Sequence, residues 1–298
     1  MAAARYRVEH RTHYAHPERV TTSTHVMHLE PRRLPAQEVI DYELAIEPAP
    51  ASVSRRVDYF GNAVHHVTLL TPYTSLTVIS RAEVVVSERE PLLETAFDVP
   101  HDPAWEAVRD GIRRRERAWA PALVEFCAAS PHITTSPALE AFARLAFTPG
   151  RPIGDAARAL MRYIHEEFTF LPHETTIATS VEQVLADRHG VCQDLAHLQI
   201  AAMRAIGLPA RYVSGYLLTD PPPGQARLTG ADASHAWVSA YCAGEGWVDL
   251  DPTNGCVADA RHVTIGWGRD YDDVSPLRGV LLGGEAHTLR VGVSVIPV

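Results

Sequence analysis

Gly190-Val-Cys192-Gln-Asp194-Leu-Ala-His197 opens the stretch that decides the fold, and an apolar helical pattern runs on from it to Gly207-Leu-Pro209-Ala-Arg211. Ser234-His235-Ala-Trp237 follows, and then Gly246-Trp247-Val-Asp249-Leu-Asp251-Pro-Thr253. A thiol, an imidazole and a carboxylate thus come in that order, each in its own structural setting. These are the parts that acyl transfer through a thiol requires: a nucleophile, a base to activate it, and a group to orient the base.

Local patterns give each of the three a place. Ser180–His189 reads as a short helix, with Ser180 as N-cap, Gln183 three residues on, and Val181, Val184 and Leu185 on one face. Gly190 then reads as its C-cap. A second helix starts at or just before Cys192, carries Leu195, Leu198, Ala202 and Ile206 at helical spacing, and stops at Gly207 and Pro209. In its first turn Cys192 meets unpaired N–H groups and the positive end of the helix dipole, which favour a thiolate and can hold an oxyanion. Asp194, in the same turn, reads as a carboxylate that stabilises the helix start.

Ala210–Leu218 reads as a strand, Thr219–Gly230 as a polar, Pro-rich loop, and His235–Cys242 as the next strand. Ala243–Gly246 turns the chain and Trp247–Leu250 returns it. His235, Trp237 and Ser239 share one parity, as do Trp247, Asp249 and Asp251, so each set projects from one face of its strand. His235 and Asp251 lie opposite each other if the hairpin loop is odd in length and centred near Ala243, a register the sequence permits without selecting it. Asp249, with the parity of Asp251, is the rival for the third role.

Upstream, polar and apolar residues alternate through Tyr6 and Val8, Val39–Ile46, Val64–Leu70 and Leu76–Val86, with turns at Phe60-Gly-Asn62-Ala and Thr71-Pro-Tyr73. That predicts an antiparallel β-sandwich over residues 1–95. Residues 96–135 form a charged, partly helical connection, and the core, 136–298, includes a helix around Asp155–Phe168 with Leu160, Ile164 and Phe168 in a stripe. A last strand, His287–Val295, alternates Leu289, Val291, Val293 and Val295, and could complete a sheet in either domain.

With these segments in place, the chain resembles bacterial transglutaminase-like proteins, whose core is akin to papain-like cysteine proteases. Tyr6-Arg-Val-Glu-His-Arg-Thr-His-Tyr14, Leu29-Glu-Pro-Arg32 and Asp58-Tyr-Phe-Gly-Asn62 resemble the β-rich N-terminal domain that accompanies this core, and Gly268-Arg-Asp-Tyr-Asp-Asp273 also fits. The resemblance implies an α+β fold in which a helix bearing Cys packs on an antiparallel sheet bearing His and Asp. It implies Cys192 as nucleophile, His235 as general base and acid, and Asp251 as the orienting carboxylate. The activity so implied is thiol-dependent acyl transfer or hydrolysis at a carboxamide or peptide bond through a thioester, with amidase, peptidase and crosslinking all open. A protein or peptide substrate, with an amine as possible second acceptor, is the expected partner. Trp237 and Trp247 are candidate walls of an acyl-binding tunnel, the alternative being ordinary packing in the hairpin core. A catalytically silent interaction scaffold is the alternative of a different class.

Composition narrows the rest. The four cysteines, Cys127, Cys192, Cys242 and Cys256, show no paired C-x-x-C spacing, no H-E-x-x-H occurs, and sixteen histidines are scattered, so no metal or cofactor is expected. Asp270, Asp272 and Asp273 read as a solvated acidic loop. The net charge of −9 argues against nucleic acid, and Arg113-Arg-Arg-Glu-Arg117 reads as the wet face of a helix. The absence of a long apolar run argues against a membrane span, and the start of the chain and its few cysteines suggest a reducing cytoplasm.

Overall fold

The computed structural model describes residues 3–87, 102–115, 120–172, 174–219, 234–284 and 286–298. The first sheet is organised by one long strand, β1 (Ala4–Met27). Tyr6, Val8, His10 and Thr12 are buried along it at alternate positions, which is the alternation that marks a strand with one covered face. β2 (Gln37–Glu47), β3 (Ser52–Val57), β4 (Ala63–Leu69) and β5 (Tyr73–Val86) follow, in the spatial order β2-β5-β1-β4-β3. The first half of β1 pairs with β5, from Ala4↔Val86 to Ala15↔Ser75, and the second half with β4, from Ser23↔Leu69 to Met27↔His65. The register against β5 shifts between Ala15 and Val20, where an irregularity bends the strand. One continuous sheet therefore supplies both faces of the expected sandwich, curled around Val20, Met27, Val67, Leu69, Leu76 and Val78.

Helices fill the next segment. α1 (Trp105–Arg113) and α2 (Ala120–Val124) precede α3 (Pro137–Arg144) and α4 (Ile153–Glu167). β6 (Thr169–Phe170), α5 (Val181–Asp187) and β7 (His189–Gly190) lead into α6 (Cys192–Ala205). Leu195 to Arg204 are buried without a break along α6, as expected of a helix enclosed on all sides by its own core. Arg113, Arg144 and Arg204 sit in the last turns of α1, α3 and α6, and line a cavity of about 500 Å³ with Arg109 and Arg115. Three helix C-termini and their partial negative charge explain this concentration of arginine. Arg113 of the basic run thus ends a helix, with Arg114 as its C-cap and Arg115 at φ 51, while residues 116 and 117 lie outside the described residues.

The second sheet comprises β8 (Ala210–Leu217), β9 (Ser234–Cys242), β10 (Gly246–Asp251), β11 (Cys256–Val257) and β12 (His262–Gly268). Its spatial order is β11-β10-β9-β8-β12, all antiparallel, with α6 packed across β8 and β9. Of the expected Thr219–Gly230 loop, all but Thr219 lies outside the described residues.

β13 (Leu277–Gly283) and β14 (Thr288–Pro297) close the chain on β1, pairing Met27↔Leu277 and Tyr6↔Pro297. The sequence left the sheet of the last strand open between the two domains, and β14 takes the N-terminal one. The last strand returns to the N-terminal sheet because Val293 and Val295 belong to an apolar cluster with Tyr6, Val8, Val84 and Val86. Tyr216, Val263 and Ile265 of the second sheet complete that cluster, so the two sheets share it.

Two side-chain amides seal the junction. Gln37 Nε2 donates to the Thr264 carbonyl at 2.7 Å, and Gln37 Oε1 accepts the Thr264 N–H at 2.8 Å. Asn62 repeats the pattern on Trp267, donating at 2.9 Å and accepting at 3.0 Å. Each amide stands in for one residue of a neighbouring strand along β12, whose own register slips between Thr264 and Gly266. The Trp267 ring lies between the guanidinium groups of Arg32, at 3.5 Å, and Arg211, at 3.8 Å. Asp270, expected to be solvated, is buried, and accepts the N–H groups of His132 at 2.9 Å and Asp272 at 3.0 Å. Asp273 is clamped by the Arg269 guanidinium at 2.9 Å.

Asn62→Ala leaves a part-buried N–H and a part-buried carbonyl on Trp267 without their partner, at about 1–3 kcal/mol each. Urea unfolding followed by fluorescence is expected to show a loss of at least ~2 kcal/mol with an unchanged m-value.

Candidate active site

Cys192 occupies the first position of α6, with Val191 as the N-cap in extended conformation. Val191 has no side-chain oxygen with which to cap the helix. Asp194 acts from the other direction, its Oδ2 accepting the Val191 N–H at 2.8 Å and the Thr175 hydroxyl at 2.6 Å. The buried Asp194 is therefore the helix-start carboxylate that the sequence suggested.

The preceding turn differs from expectation. α5 has Ser180 as N-cap, accepting the Gln183 N–H at 3.2 Å, but its C-cap is Arg188 at φ 54, not Gly190. His189 and Gly190 instead bridge in parallel to Thr169 and Phe170. Glycine is needed at 190 because a Cβ there would stand 2.7 Å from the Asp194 Cβ. The requirement comes from close approach to the helix cap, a contact invisible to a local helix-ending rule.

β9 and β10 pair from Cys242↔Gly246 to Val238↔Leu250, leaving a three-residue loop centred on Gly244. The loop is odd, as required, and centred one residue later than expected. Continuing the register sets Asp251 across from Trp237, so its side chain reaches His235 diagonally. His235 Nε2 and Asp251 Oδ2 are 2.7 Å apart. Cys192 hydrogen-bonds the same imidazole, so thiol, imidazole and carboxylate come together. Asp249 lies opposite Ser239, farther along the hairpin, and its carbonyl accepts the Ala258 N–H at 2.9 Å.

Asp251 is fully buried and its charge is met on all sides. Oδ1 accepts the N–H groups of Thr253 at 2.9 Å and Asn254 at 3.2 Å. Oδ2 accepts from the Asn254 amide at 2.7 Å, from His235, and from His262 Nε2 at 3.2 Å. Burial opposes ionisation, yet these donors outweigh it and hold Asp251 far below the usual carboxylate range. Burial also disfavours charge on His235, but the hydrogen bonds to Asp251 and Cys192 prevail and raise its pKa to about 10. The other three thiols go the opposite way. Burial pushes Cys127 up to about 12, Cys256 to about 11, and Cys242 higher still.

His262 and Asn254 escaped the sequence reading. Asn254 carried a signal, since an Asp-Pro-Thr-Asn turn closes on its own side chains. His262 carried none. It lies on β12, three strands from β10 in the sheet, and reaches Asp251 only because the sheet curls. Gly215 permits that curl, because a Cβ there would stand 2.2 Å from the Val263 carbonyl and 2.4 Å from the Trp237 ring. Among the described residues, His235, Asp251 and His262 are the one set of metal-ligand type to converge, with one donor atom of each within 4.8 Å of the others. Those same atoms already bond one another, so ligating a cation would dismantle the link between His235 and Asp251.

Among the described residues, Trp237 and Trp247 are both buried, Trp237 completely. Trp237 is fully buried beside the site, edge-on to His262 at 5.3 Å, with Val213 and Ala258 in its cluster. Trp247 packs edge-on to Phe126 at 5.4 Å and to Tyr241 at 5.5 Å, under the Arg211 guanidinium at 4.3 Å.

Known proteins resemble this chain along most of its length. Residues 6–85 match the bacterial transglutaminase-like N-terminal region, and residues 142–252 match the transglutaminase-like superfamily core. The Mycobacterium tuberculosis protein Rv2569c is 41% identical over 98% of this chain and 93% of its own length. ML0607 of Mycobacterium leprae is 32% identical over 98% of both chains. A protein-glutamine gamma-glutamyltransferase of Pseudomonas aeruginosa is 36% identical over 35% of this chain and 16% of its own. Among solved structures, a proposed cysteine protease of Cytophaga hutchinsonii shares the fold, with a TM-score of 0.70 and 21% identity over 99% of this chain and 91% of that one.

Two outcomes are expected. Trp247→Ala should cost about 3–5 kcal/mol of stability, as for other buried aromatic truncations; a full-strength unfolding transition with only substrate affinity reduced would contradict the buried placement. The pH dependence of stability follows from the raised pKa of His235. Its contribution is fully present below the unfolded value of ~6.5 and is lost as pH rises through about 10. The stability advantage of the parent over His235→Gln should therefore hold near pH 6 and shrink steadily towards pH 10.

Proposed function

The chain belongs to the bacterial transglutaminase-like proteins, and from that premise we propose that it is a thiol-dependent enzyme acting on the carboxamide of peptide-bound glutamine or on a related amide. The observation that carries this reading is the single hydrogen-bonded group of Cys192, His235 and Asp251. The partial match to a protein-glutamine gamma-glutamyltransferase supports the glutamine carboxamide as donor.

In the proposed reaction the Cys192 thiolate attacks the amide carbonyl, forming a C–S bond and a tetrahedral oxyanion. Backbone N–H groups in the first turn of α6 are placed to stabilise that charge. His235, protonated through its pairing with Asp251, gives its proton to the departing nitrogen, which leaves as ammonia or an amine. The thioester is then attacked by water or a second amine. His235 takes the attacker's proton, and the collapsing intermediate releases the Cys192 thiolate. Asp251 remains anionic throughout and holds the imidazole with Nε2 towards itself and Nδ1 towards Cys192. Water as acceptor gives amidase or peptidase activity; a primary amine gives crosslinking.

Iodoacetamide at neutral pH, followed by peptide mass spectrometry, is expected to label Cys192 well ahead of Cys127, Cys242 and Cys256, whose burial keeps them as thiols. That labelling should collapse in His235→Ala. An N-blocked glutamine-glycine dipeptide should release ammonia, and added dansylcadaverine should appear in the product. Cys192→Ala should abolish both, and turnover retained in that variant would reject the mechanism. A parent in which Cys192 labels slowly and releases no ammonia would favour a silent scaffold.

A further inference from the structure

His262 is buried to zero exposure and belongs to no part of the reaction described above. Its Nε2 lies 3.2 Å from Asp251 Oδ2, the oxygen that also faces His235 at 2.7 Å. An ionised carboxylate can only accept, so His262 must carry a proton on Nε2 whatever the state of its other nitrogen. Nδ1 has two alternative partners at 3.1 Å behind it: when bare it accepts the Asp259 N–H, and when protonated it donates to the Asp259 carboxylate, with which the Arg261 guanidinium pairs at 2.8 Å. An unbroken line of hydrogen bonds thus runs from the exposed Arg261 through Asp259, His262, Asp251 and His235 to Cys192. The Trp237 ring, edge-on at 5.3 Å, prevents the His262 ring from swinging away.

We propose that His262 is a positioning residue that shares the Asp251 charge with His235 and thereby sets how tightly His235 holds its proton.

The physical reason is competition at one oxygen. A donor hydrogen bond to a buried anion stabilises it and leaves less of its charge for its other neighbour. Without His262, Oδ2 would give more of its charge to His235, and the imidazolium would become a weaker acid. Its proton would then pass less readily to the leaving nitrogen, so the cost would fall on turnover and not on substrate binding. Among the described residues, the titratable groups facing this pair are Cys192 from α6, Asp251 from β10, Cys256 beside it on β11, and Asp259 behind His262. The Asn254 amide also donates to Oδ2, at 2.7 Å, but carries no titratable proton; His262 is the imidazole that shares this oxygen with His235.

The catalytic consequence rests on the reading of Cys192 as nucleophile, but the charge-sharing itself can be tested without it. In full-length Cys192→Ala protein labelled with ¹⁵N-histidine, the His235 ring is titrated by NMR with His262 intact, as His262→Phe, and as His262→Gln. The Phe ring fills the site without donating and should move the His235 midpoint up by about one pH unit, the scale of one hydrogen bond to a charged group. Gln, which can donate, should leave it near the parent value. A midpoint that stays put or falls in a folded Phe variant overturns the proposal, even if thermal stability drops, because a purely structural role predicts only the latter. Should the Phe variant not fold, the parent spectrum still decides. Nε2 of His262 is expected to be protonated throughout the range in which Asp251 is ionised, and a bare Nε2 with the proton on Nδ1 alone overturns the proposal. Slow alkylation of Cys192 in the unmodified chain would count against the enzymatic reading alone and would leave this titration unaffected.

Discussion

Asp251 holds a negative charge at a position with no solvent exposure, and much of the surrounding chain is intelligible as the means of surrounding it with donors. An uncompensated buried carboxylate costs several kcal/mol. Here two backbone N–H groups, one amide and two imidazoles converge on it. The turn after Asp251 is therefore not free to vary, since Thr253 and Asn254 must present their N–H groups to Oδ1. The carboxylate so held fixes the His235 ring and, with Cys192, raises its proton affinity. Geometry and electrostatics have one origin in this site.

The same constraint reaches into the N-terminal sheet. His262 meets Asp251 only if β12 is pulled across the curled second sheet, and β12 is the last strand on its side. An edge strand with a slipped register would ordinarily leave backbone groups without partners. Gln37 and Asn62 satisfy them at Thr264 and Trp267, and Arg32 covers the Trp267 ring. These residues come from loops and strand starts of the first sheet. The motif Asp58-Tyr-Phe-Gly-Asn62 is thus a structural joint, and its contribution to the site passes through β12.

The parts of this arrangement that were legible in the sequence are those set by neighbours in the chain. The start of α6 at Cys192 and its end before Gly207 and Pro209 follow from local pattern, whereas the hairpin register between His235 and Asp251 was permitted but not selected, and its loop is centred one residue later than expected. What was not legible depends on approach in space. Gly190 serves a close contact with Asp194 and so misled a rule about helix ends. Asp270 looked like one of three solvated acids, but it answers to backbone N–H groups at His132, far away in sequence. Trp237 and Trp247 have the parity of the site residues, and parity names a face without saying whether that face is open. His262 had no signal at all, because its partner is three strands away.

The closing strands explain why these distant pieces hold together. β1 is paired along one edge by β5 and then β4, and along the other by β14 and then β13, so the two ends of the chain lie side by side. The cluster behind β1 mixes Tyr6, Val8, Val84, Val293 and Val295 with Tyr216, Val263 and Ile265. Removing the first sheet would expose this shared cluster and leave β12 without its amide partners. At about 25 cal/mol per Å² of apolar surface, several such side chains exposed together amount to a large share of the stability of an ordinary domain. The segment that bears Cys192, His235 and Asp251 thus shares an apolar cluster with the first sheet. The first sheet supplies one wall of its core, and through Gln37 and Asn62 it steadies the strand that brings a second imidazole to the buried carboxylate.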